Sequence, residues 1–153
     1  MADKHGRKMS AEILKATNDD IKDIAKLLEA ENLPPDDMER WIENFFVLKI
    51  DGITAGAAGI EVWGNTGLFR SFVVAPEQRS KGFGQQLYDS VISLFGEIGL
   101  TAIVLLSKGG SGFFEKEGFR FIPRSDVPSE AKNSVQFNLD GCKIYDVMII
   151  ELN

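Results

Sequence analysis

Runs of apolar residues bounded by turn residues predict strands along this chain, and apolar residues that recur at helical spacing predict helices. The predicted strands are Glu12–Ala16, Phe45–Ile50, Ile53–Trp63, Leu68–Val74, Thr101–Leu106, Phe119–Pro123 and Ile144–Leu152. The first predicted helix follows Thr17 and ends near Glu31. The other predicted helices are Met38–Ile42, a helix through Gln85–Phe95, and Ser111–Glu117. This mixture of elements indicates a fold of the α/β (α+β) class.

Two short signals mark where elements begin and turn. Thr17 and Asp20 form a capping-box pattern at the start of the first helix. The dipeptide Asp51-Gly52 suits a type I′ turn, so the strands on either side of it are predicted to pair as a hairpin. Small residues in the second of these strands indicate that another element packs closely against it.

The helix through Gln85–Phe95 lies in the sequence between two buried strands, Leu68–Val74 and Thr101–Leu106. Glycines between positions 96 and 99 are expected to end its helical pattern. If the helix is a right-handed crossover, the two strands are parallel. The last strand is expected to return to the same sheet.

The chain has 153 residues, of which 44% are apolar, and this suits one domain with one core. We expect a single domain over residues 11–153, after a disordered lead-in at residues 1–10 that holds the only histidine, His5. Cys142 is the only cysteine, so no intrachain disulfide can form and a reducing, cytoplasmic location is expected. A packed apolar position is the favoured role for Cys142, and a pocket-lining thiol is the alternative.

The charge of the chain limits its partners. The net charge is −6 at pH 7 and the sequence pI is near 4.8, which argues against a nucleic acid or an anionic membrane as partner. No apolar run approaches the length of a membrane span, and the first ten residues are polar, unlike a signal peptide. Basic residues are therefore of interest only where they cluster locally.

The stretch Phe69–Gly84 combines a strand, a short basic loop and the start of a helix. A helix that begins directly after glycines has unpaired N–H groups and the positive end of its dipole at that point, so it can hold a phosphate group. Arg79 and Lys81 add positive charge, and a pyrophosphate would fit. The loop lacks the Gly-Lys-Ser/Thr of a Walker motif and the third glycine of a dinucleotide fingerprint.

The motif Val-x-Pro-x-x-Arg-x-x-Gly-x-Gly is formed by Val74, Pro76, Arg79, Gly82 and Gly84. It resembles the coenzyme A loop of the GCN5-related N-acetyltransferase (GNAT) superfamily. Downstream, residues 113–119 read Phe-Phe-Glu-Lys-Glu-Gly-Phe and resemble the family's second motif, Phe-Tyr-Glu-Lys-x-Gly-Phe. The resemblance implies a mixed, mostly antiparallel central sheet with a splayed pair of parallel strands and helices on both faces.

The resemblance also implies acetyl-CoA as the acetyl donor and no metal. In the family the pantetheine arm lies between the splayed parallel strands, and here a backbone N–H near Val73 would face the acetyl oxygen. The loop would surround the pyrophosphate with its backbone groups. The implied coenzyme-binding residues are Phe72, Val73, Val74, Arg79, Ser80, Lys81, Gly82, Phe83, Gly84 and Phe114.

Two departures from the family concern acid and base chemistry. Phe114 stands where the family's usual general acid is a tyrosine, but a coenzyme A thiol has a pKa of about 8.5 and can leave as thiolate near neutrality. Arg70 stands near the family's usual glutamate base, so Glu61 on the adjacent strand is the nearest candidate base. Arg70 is interpreted as a clamp for a substrate carboxylate. The alternative is a structural salt bridge between Glu61 and Arg70.

Four stretches resemble the amino-acid N-acetyltransferase branch, which includes N-acetylglutamate synthases and arsenic-resistance acetyltransferases: Gly59–Trp63, Leu68–Ser71, Gly112–Phe114 and Val127–Lys132. The implied function is direct acetyl transfer to the amine of a small carboxylated substrate, an amino acid or analogue. Segment Gln136–Lys143 departs from the branch, so the acceptor stays open. Two alternatives are an acetyl-CoA-binding regulatory module without turnover and an acetyltransferase acting on a protein amine. An exposed sheet edge could pair two copies in a homodimer.

Overall fold

The structure, a computed structural model, describes residues 10–109 and 111–152. These residues form two compact units, one with residues 10–59 and Ser71–Ser93, the other with Ile60–Arg70 and the described residues between 94 and 152. The predicted lead-in at residues 1–10 lies outside the described residues apart from Ser10.

In the part of the chain that the structure describes, seven strands form a mixed sheet. Their bounds are β1 Ala11–Lys15, β2 Phe45–Ile50, β3 Ile53–Trp63, β4 Thr66–Val74, β5 Ala102–Ser107, β6 Arg120–Ile122 and β7 Asp146–Glu151. The strand order is β1-β2-β3-β4-β5-β7-β6. β4 and β5 are parallel, whereas β1 with β2, β2 with β3, β5 with β7 and β6 with β7 are antiparallel. The predicted mixed sheet, its parallel pair and the return of the last strand are confirmed.

The helices are α1 Ile21–Ala30, α2 Met38–Trp41, α3 Phe83–Ile98, α4 Gly112–Lys116 and α5 Val135–Asn138. α3 continues through Gly96, because a single glycine weakens a helix without ending it. The helix ends at Ile98, within the stretch 96–99 where the sequence pattern predicted its end. The φ of Gly99, +84°, is left-handed, and its N–H donates to the Phe95 carbonyl at 3.0 Å. α5 was not predicted. Within the described part of the chain, no helix has the length and apolarity needed to cross a membrane.

The start of α1 in the first unit follows the predicted capping box. The Thr17 N–H donates to the Asp20 carboxylate at 2.9 Å, and both halves of the box are present. Lys49 of β2 lies 2.9 Å from the other oxygen of Asp20. On the inner face of α1, Ile24 and Leu28 join a buried cluster with β2 and β3.

Small residues of β3 allow close packing, as the sequence predicted. A Cβ added at Gly59 would overlap the ring of Phe45. A Cβ added at Gly56 would lie 2.9 Å from the carbonyl oxygen of Val73 and 3.2 Å from Leu87 of α3. Larger side chains at either glycine would therefore displace the backbone or ring that packs there.

The second unit has its own apolar cluster on one sheet face. Its buried members are Leu68, Ala102, Val104, Val127, Ala131, Val147 and Ile149, with Trp63, Leu106, Ile122 and Phe137 packed against them. Ala102, Val104 and Leu106 alternate along β5, and Val147 and Ile149 alternate along β7, as strand geometry requires for one face. We call residues 123–145 the cap segment, because its apolar side chains cover these strand residues. Cys142, in the cap segment, is 2% exposed, in agreement with its favoured role as a packed residue.

Candidate functional site

β4 changes conformation at its midpoint. Its parallel register with β5 pairs Thr66–Phe69 with Ala102–Leu105 and ends there, while β4 runs on to Val74. Ser71 has φ +59°, a left-handed conformation that costs a non-glycine residue about 1 kcal/mol or more. Such a residue in a strand resets the alternation of side chains and redirects the backbone groups that follow. The backbone after Ser71 is the part predicted to receive the coenzyme.

The predicted phosphate loop lies in the first unit at the start of α3. Ser80 and Gly82 have φ of +63° and +86°, so left-handed residues stand on both sides of Lys81. Such alternation turns successive backbone N–H groups toward one side, which forms an anion-binding concavity. The sixteen-residue α3 adds the positive end of its dipole at Phe83. A Cβ at Gly82 would meet nothing within 4 Å, so its conformation, and not space, requires glycine.

Arg79 holds this loop in shape. Its Nε donates to the Val74 carbonyl at 2.9 Å, and its Nη2 pairs with the carboxylate of Glu31, the residue that follows α1. Lys81 Nζ donates to the Gln78 side chain at 3.0 Å. The guanidinium is thus paired with the end of β4 and with Glu31, and the role of Arg79 as added charge for a pyrophosphate stays a prediction.

The remaining predicted coenzyme residues of the first unit present backbone more than side chain. Val73 and Phe83 are 5% and 7% exposed, so their side chains belong to the core. Phe72 lies against the start of α3, where a Cβ at Gly84 would be 3.5 Å from its ring. Val74 contributes its carbonyl to Arg79. The structure brings these residues together where the end of β4 meets the start of α3.

A buried charged network lies in the second unit. Arg70 Nη1 donates to Glu61 Oε2 at 2.8 Å, and Trp63 Nε1 donates to Glu61 Oε1 at 2.8 Å. Glu61 is 0% and Arg70 4% exposed. The salt bridge that the sequence left as an alternative is therefore formed, and each carboxylate oxygen of Glu61 accepts a hydrogen bond. A pair this deeply buried is favourable only because its hydrogen-bond geometry is good. Loss of one partner would leave an uncompensated charge.

Phe114 is part of an aromatic cluster in the second unit. Its ring makes edge contacts with Phe69 of β4, Phe113 and Phe119, with centroid distances of 5.7, 5.3 and 5.7 Å. The side chain has no hydroxyl, so it cannot donate a proton. The ring packs against its aromatic neighbours, and its contact with the coenzyme stays a prediction.

Two members of these arrangements were absent from the sequence predictions. Trp63 lies two residues after Glu61 on β3, so strand alternation could have placed both side chains on one face. Glu31 precedes its partner Arg79 by 48 residues, and no local signal joins them. In the described part of the chain, no three His, Cys, Asp or Glu side chains come together as metal ligands.

Known proteins resemble this chain in sequence and in fold. Residues 41–121 match the Acetyltransferase (GNAT) domain family. The chain belongs to the GNAT family. The predicted family is confirmed. An amino-acid acetyltransferase from Ralstonia nicotianae is 31% identical to this GNAT chain over 126 residues, which are 76% of this chain and 28% of that protein.

Solved structures share the GNAT fold of this chain. N-acetylglutamate synthase from Neisseria gonorrhoeae, complexed with coenzyme A and N-acetyl-glutamate, superposes with a TM-score of 0.79 at 22% identity, over 97% of this chain and 36% of that one. Rv2747 from Mycobacterium tuberculosis, in complex with CoA and NLQ, gives a TM-score of 0.78 at 18% identity, over 93% of this chain and 99% of that one. This GNAT chain therefore spans about a third of the length of the Ralstonia and Neisseria proteins.

Proposed function

We propose that this GNAT domain transfers acetyl from acetyl-CoA to the amine of a small carboxylated acceptor, an amino acid or an analogue. The observation that carries the proposal is a buried guanidinium, Arg70, held in place by Glu61 on a neighbouring strand. A buried guanidinium whose position is fixed by its partner carboxylate presents a set donor geometry, which suits recognition of a small carboxylate better than recognition of an extended, solvated surface. The amino-acid acetyltransferase named above supports the same acceptor class.

The coenzyme would bind along the backbone of the first unit. The N–H groups around Ser80–Gly82 and the first turn of α3 would hold the pyrophosphate, while the β4 backbone beyond Ser71 would bond to the pantetheine arm. A backbone N–H near Val73 would donate to the thioester oxygen and stabilise the charge that develops there.

The chemistry is a direct transfer. The acceptor's neutral amine nitrogen attacks the thioester carbonyl carbon, a C–N bond forms, and the C–S bond breaks to release the coenzyme thiolate. Because a thiol of this kind has a pKa of about 8.5, the thiolate leaves near neutrality without a general acid, which fits phenylalanine at position 114. The amine proton leaves to water.

Arg70 is proposed as the clamp and Glu61 as the residue that positions it. A guanidinium has five N–H donors in a fixed fork, so it can hold a carboxylate while it stays paired with Glu61. Both oxygens of Glu61 already accept hydrogen bonds, from Arg70 and Trp63, which favours positioning over proton removal. The general-base role of Glu61 stays a prediction.

The activity is tested by free-thiol release from acetyl-CoA with a panel of amino acids and glutamate analogues, including phosphinothricin. L-glutamate is compared with isoglutamine, its α-carboxamide, which keeps the amine and removes one carboxylate. We expect turnover with L-glutamate-like acids and a loss of at least 10-fold in kcat/KM with the carboxamide. Turnover that ignores the carboxylate would contradict the clamp. Silence across the panel, with acetyl-CoA still raising the Tm, would point to a protein amine or to binding without turnover.

Arg70→Lys and Glu61→Gln separate the two roles. Arg70→Lys keeps the charge but loses the fork, so we expect at least a 10-fold higher KM for the acceptor and an unchanged KM for acetyl-CoA. Glu61→Gln should raise the acceptor KM with little change in kcat if Glu61 positions Arg70. A fall in kcat alone at every pH would instead show that Glu61 removes the proton.

A further inference from the structure

Side chains of the cap segment, residues 123–145, hydrogen-bond to the backbone of the same segment. Arg124 donates to the carbonyls of Cys142 and Tyr145, and its guanidinium lies 5.7 Å from the ring centroid of Phe137. Asn138 Nδ2 donates to the Ser134 carbonyl at 2.8 Å and to the Lys132 carbonyl at 3.2 Å. These contacts join the start of the segment to its end and brace its middle.

Gln136 is the exception to this pairing. The residue is 6% exposed, and its backbone N–H donates to the buried hydroxyl of Ser134 at 3.1 Å. Its side-chain nitrogen Nε2 is buried, and no described residue accepts a hydrogen bond from it. An unpaired buried amide of this kind destabilises the folded protein, because no hydrogen bond offsets its loss of contact with water. The cap segment therefore holds a buried donor that lacks an acceptor among the described residues.

The cap segment covers the sheet face that carries the charged network. Phe137, next to Gln136, packs against the same apolar cluster as Trp63, which donates to Glu61. Leu68, a buried member of that cluster, precedes Arg70 by two residues on β4 and so shares its strand face. The turn after Trp63 also touches the cap, since a Cβ at Gly64 would overlap the Glu130 carboxylate.

We propose that Gln136 is a specificity-determining residue whose side-chain amide donates a hydrogen bond to a side-chain oxygen of the bound acceptor. The inference rests on the proposed function, in which Arg70 takes the carboxylate next to the amine. Gln136 then supplies a neutral donor for a second polar group, and a bound oxygen would satisfy the amide that the free protein leaves unpaired. The acceptor class becomes an amino acid with an oxygen-bearing side chain, such as an acidic or amide one.

Gln136→Met tests this role, because methionine has a similar length and no hydrogen-bond donor. The probes are L-glutamate, L-glutamine and L-norvaline, which share the amine and the α-carboxylate and differ in the side-chain oxygens. We expect the wild-type protein to prefer the first two over norvaline by about 10-fold in kcat/KM, and Gln136→Met to abolish that preference with no change in the KM for acetyl-CoA.

Stability separates this role from a structural one. Since Nε2 has no partner, Gln136→Met should leave the Tm unchanged or raise it, whereas Asn138→Leu, which removes two hydrogen bonds in the same segment, should lower it. A lower Tm for Gln136→Met with unchanged preference among the probes would overturn the inference alone. Failure of the wild-type protein to acetylate any of the three probes would overturn the proposed function and this inference together.

Discussion

Arg79 and Glu31 form an ion pair that joins the phosphate loop to the residue after α1, although 48 residues separate them in the chain. The same guanidinium donates from Nε to the Val74 carbonyl at 2.9 Å. Arg79 thus connects the end of β4, the loop and the end of α1 within the first unit. We propose that its role is to shape the loop that is predicted to receive the coenzyme.

Arg79→Lys is expected to weaken acetyl-CoA binding, because lysine keeps the charge but cannot pair with Glu31 and Val74 together. Since the pair is partly exposed, the loss should be moderate, about 3- to 10-fold in Kd. Isothermal titration calorimetry at two salt concentrations measures it. Lys81→Gln serves as a control for charge alone, with a smaller and strongly salt-dependent effect. Wild-type affinity in Arg79→Lys would show that charge, and not loop geometry, is what the arginine contributes.

The Glu61–Arg70 pair is expected to show strong coupling in a double-mutant cycle. Arg70→Met alone leaves a buried carboxylate without its cation and should lower the free energy of unfolding by about 3–5 kcal/mol. Adding Glu61→Met should recover most of that loss, because the pair is replaced by apolar side chains of similar length. Urea unfolding of the two single variants and the double variant measures the coupling. Additive losses would mean that the two side chains do not act as a unit.

Ser71 is expected to carry backbone strain. Its φ of +59° favours glycine, so Ser71→Gly should be about 1 kcal/mol more stable than Ser71→Ala, and Ser71→Val should be the least stable of the three. The comparison of glycine with alanine is independent of the serine hydroxyl, which both remove. Thermal or urea unfolding decides the order. Equal stability of the glycine and alanine variants would show that the backbone at position 71 carries no strain.

The capping box of α1 should make stability depend on acidic pH. Burial by itself raises the pKa of the Asp20 carboxyl, but the Thr17 N–H and Lys49 lower it, and the net pKa is below its ordinary value. A carboxyl whose pKa is lowered on folding stabilises the protein above its unfolded pKa, about 3.9, and loses that contribution as the pH falls through the folded pKa. Asp20→Asn should therefore lower stability at pH 7 by about 1 kcal/mol and show a smaller loss than wild type between pH 5 and pH 2. Parallel wild-type and variant curves would contradict this.

Local sequence determined much of the fold because short-range geometry decides it. At the Asp51-Gly52 turn, φ values of +51° and +80° give the two left-handed residues that a type I′ turn requires, and these residue types tolerate them. The spacing of Pro76, Arg79 and Gly82 likewise predicted a loop that opens a helix, since glycine conformation and helix ends are local properties. The family followed from the same spacing.

Tertiary structure alone decided how the chemical groups are used. The sequence left open whether Glu61 and Arg70 are a base and a clamp or the two partners of a salt bridge. Only the pairing of β3 with β4 showed that their charged groups lie 2.8 Å apart. Ser71 has no residue-type signal for its left-handed backbone, which the sheet imposes. The burial of Gln136 depends on how the cap segment packs over distant strands. Pairing and burial are set by residues far apart in the chain, so residue type and spacing leave them open.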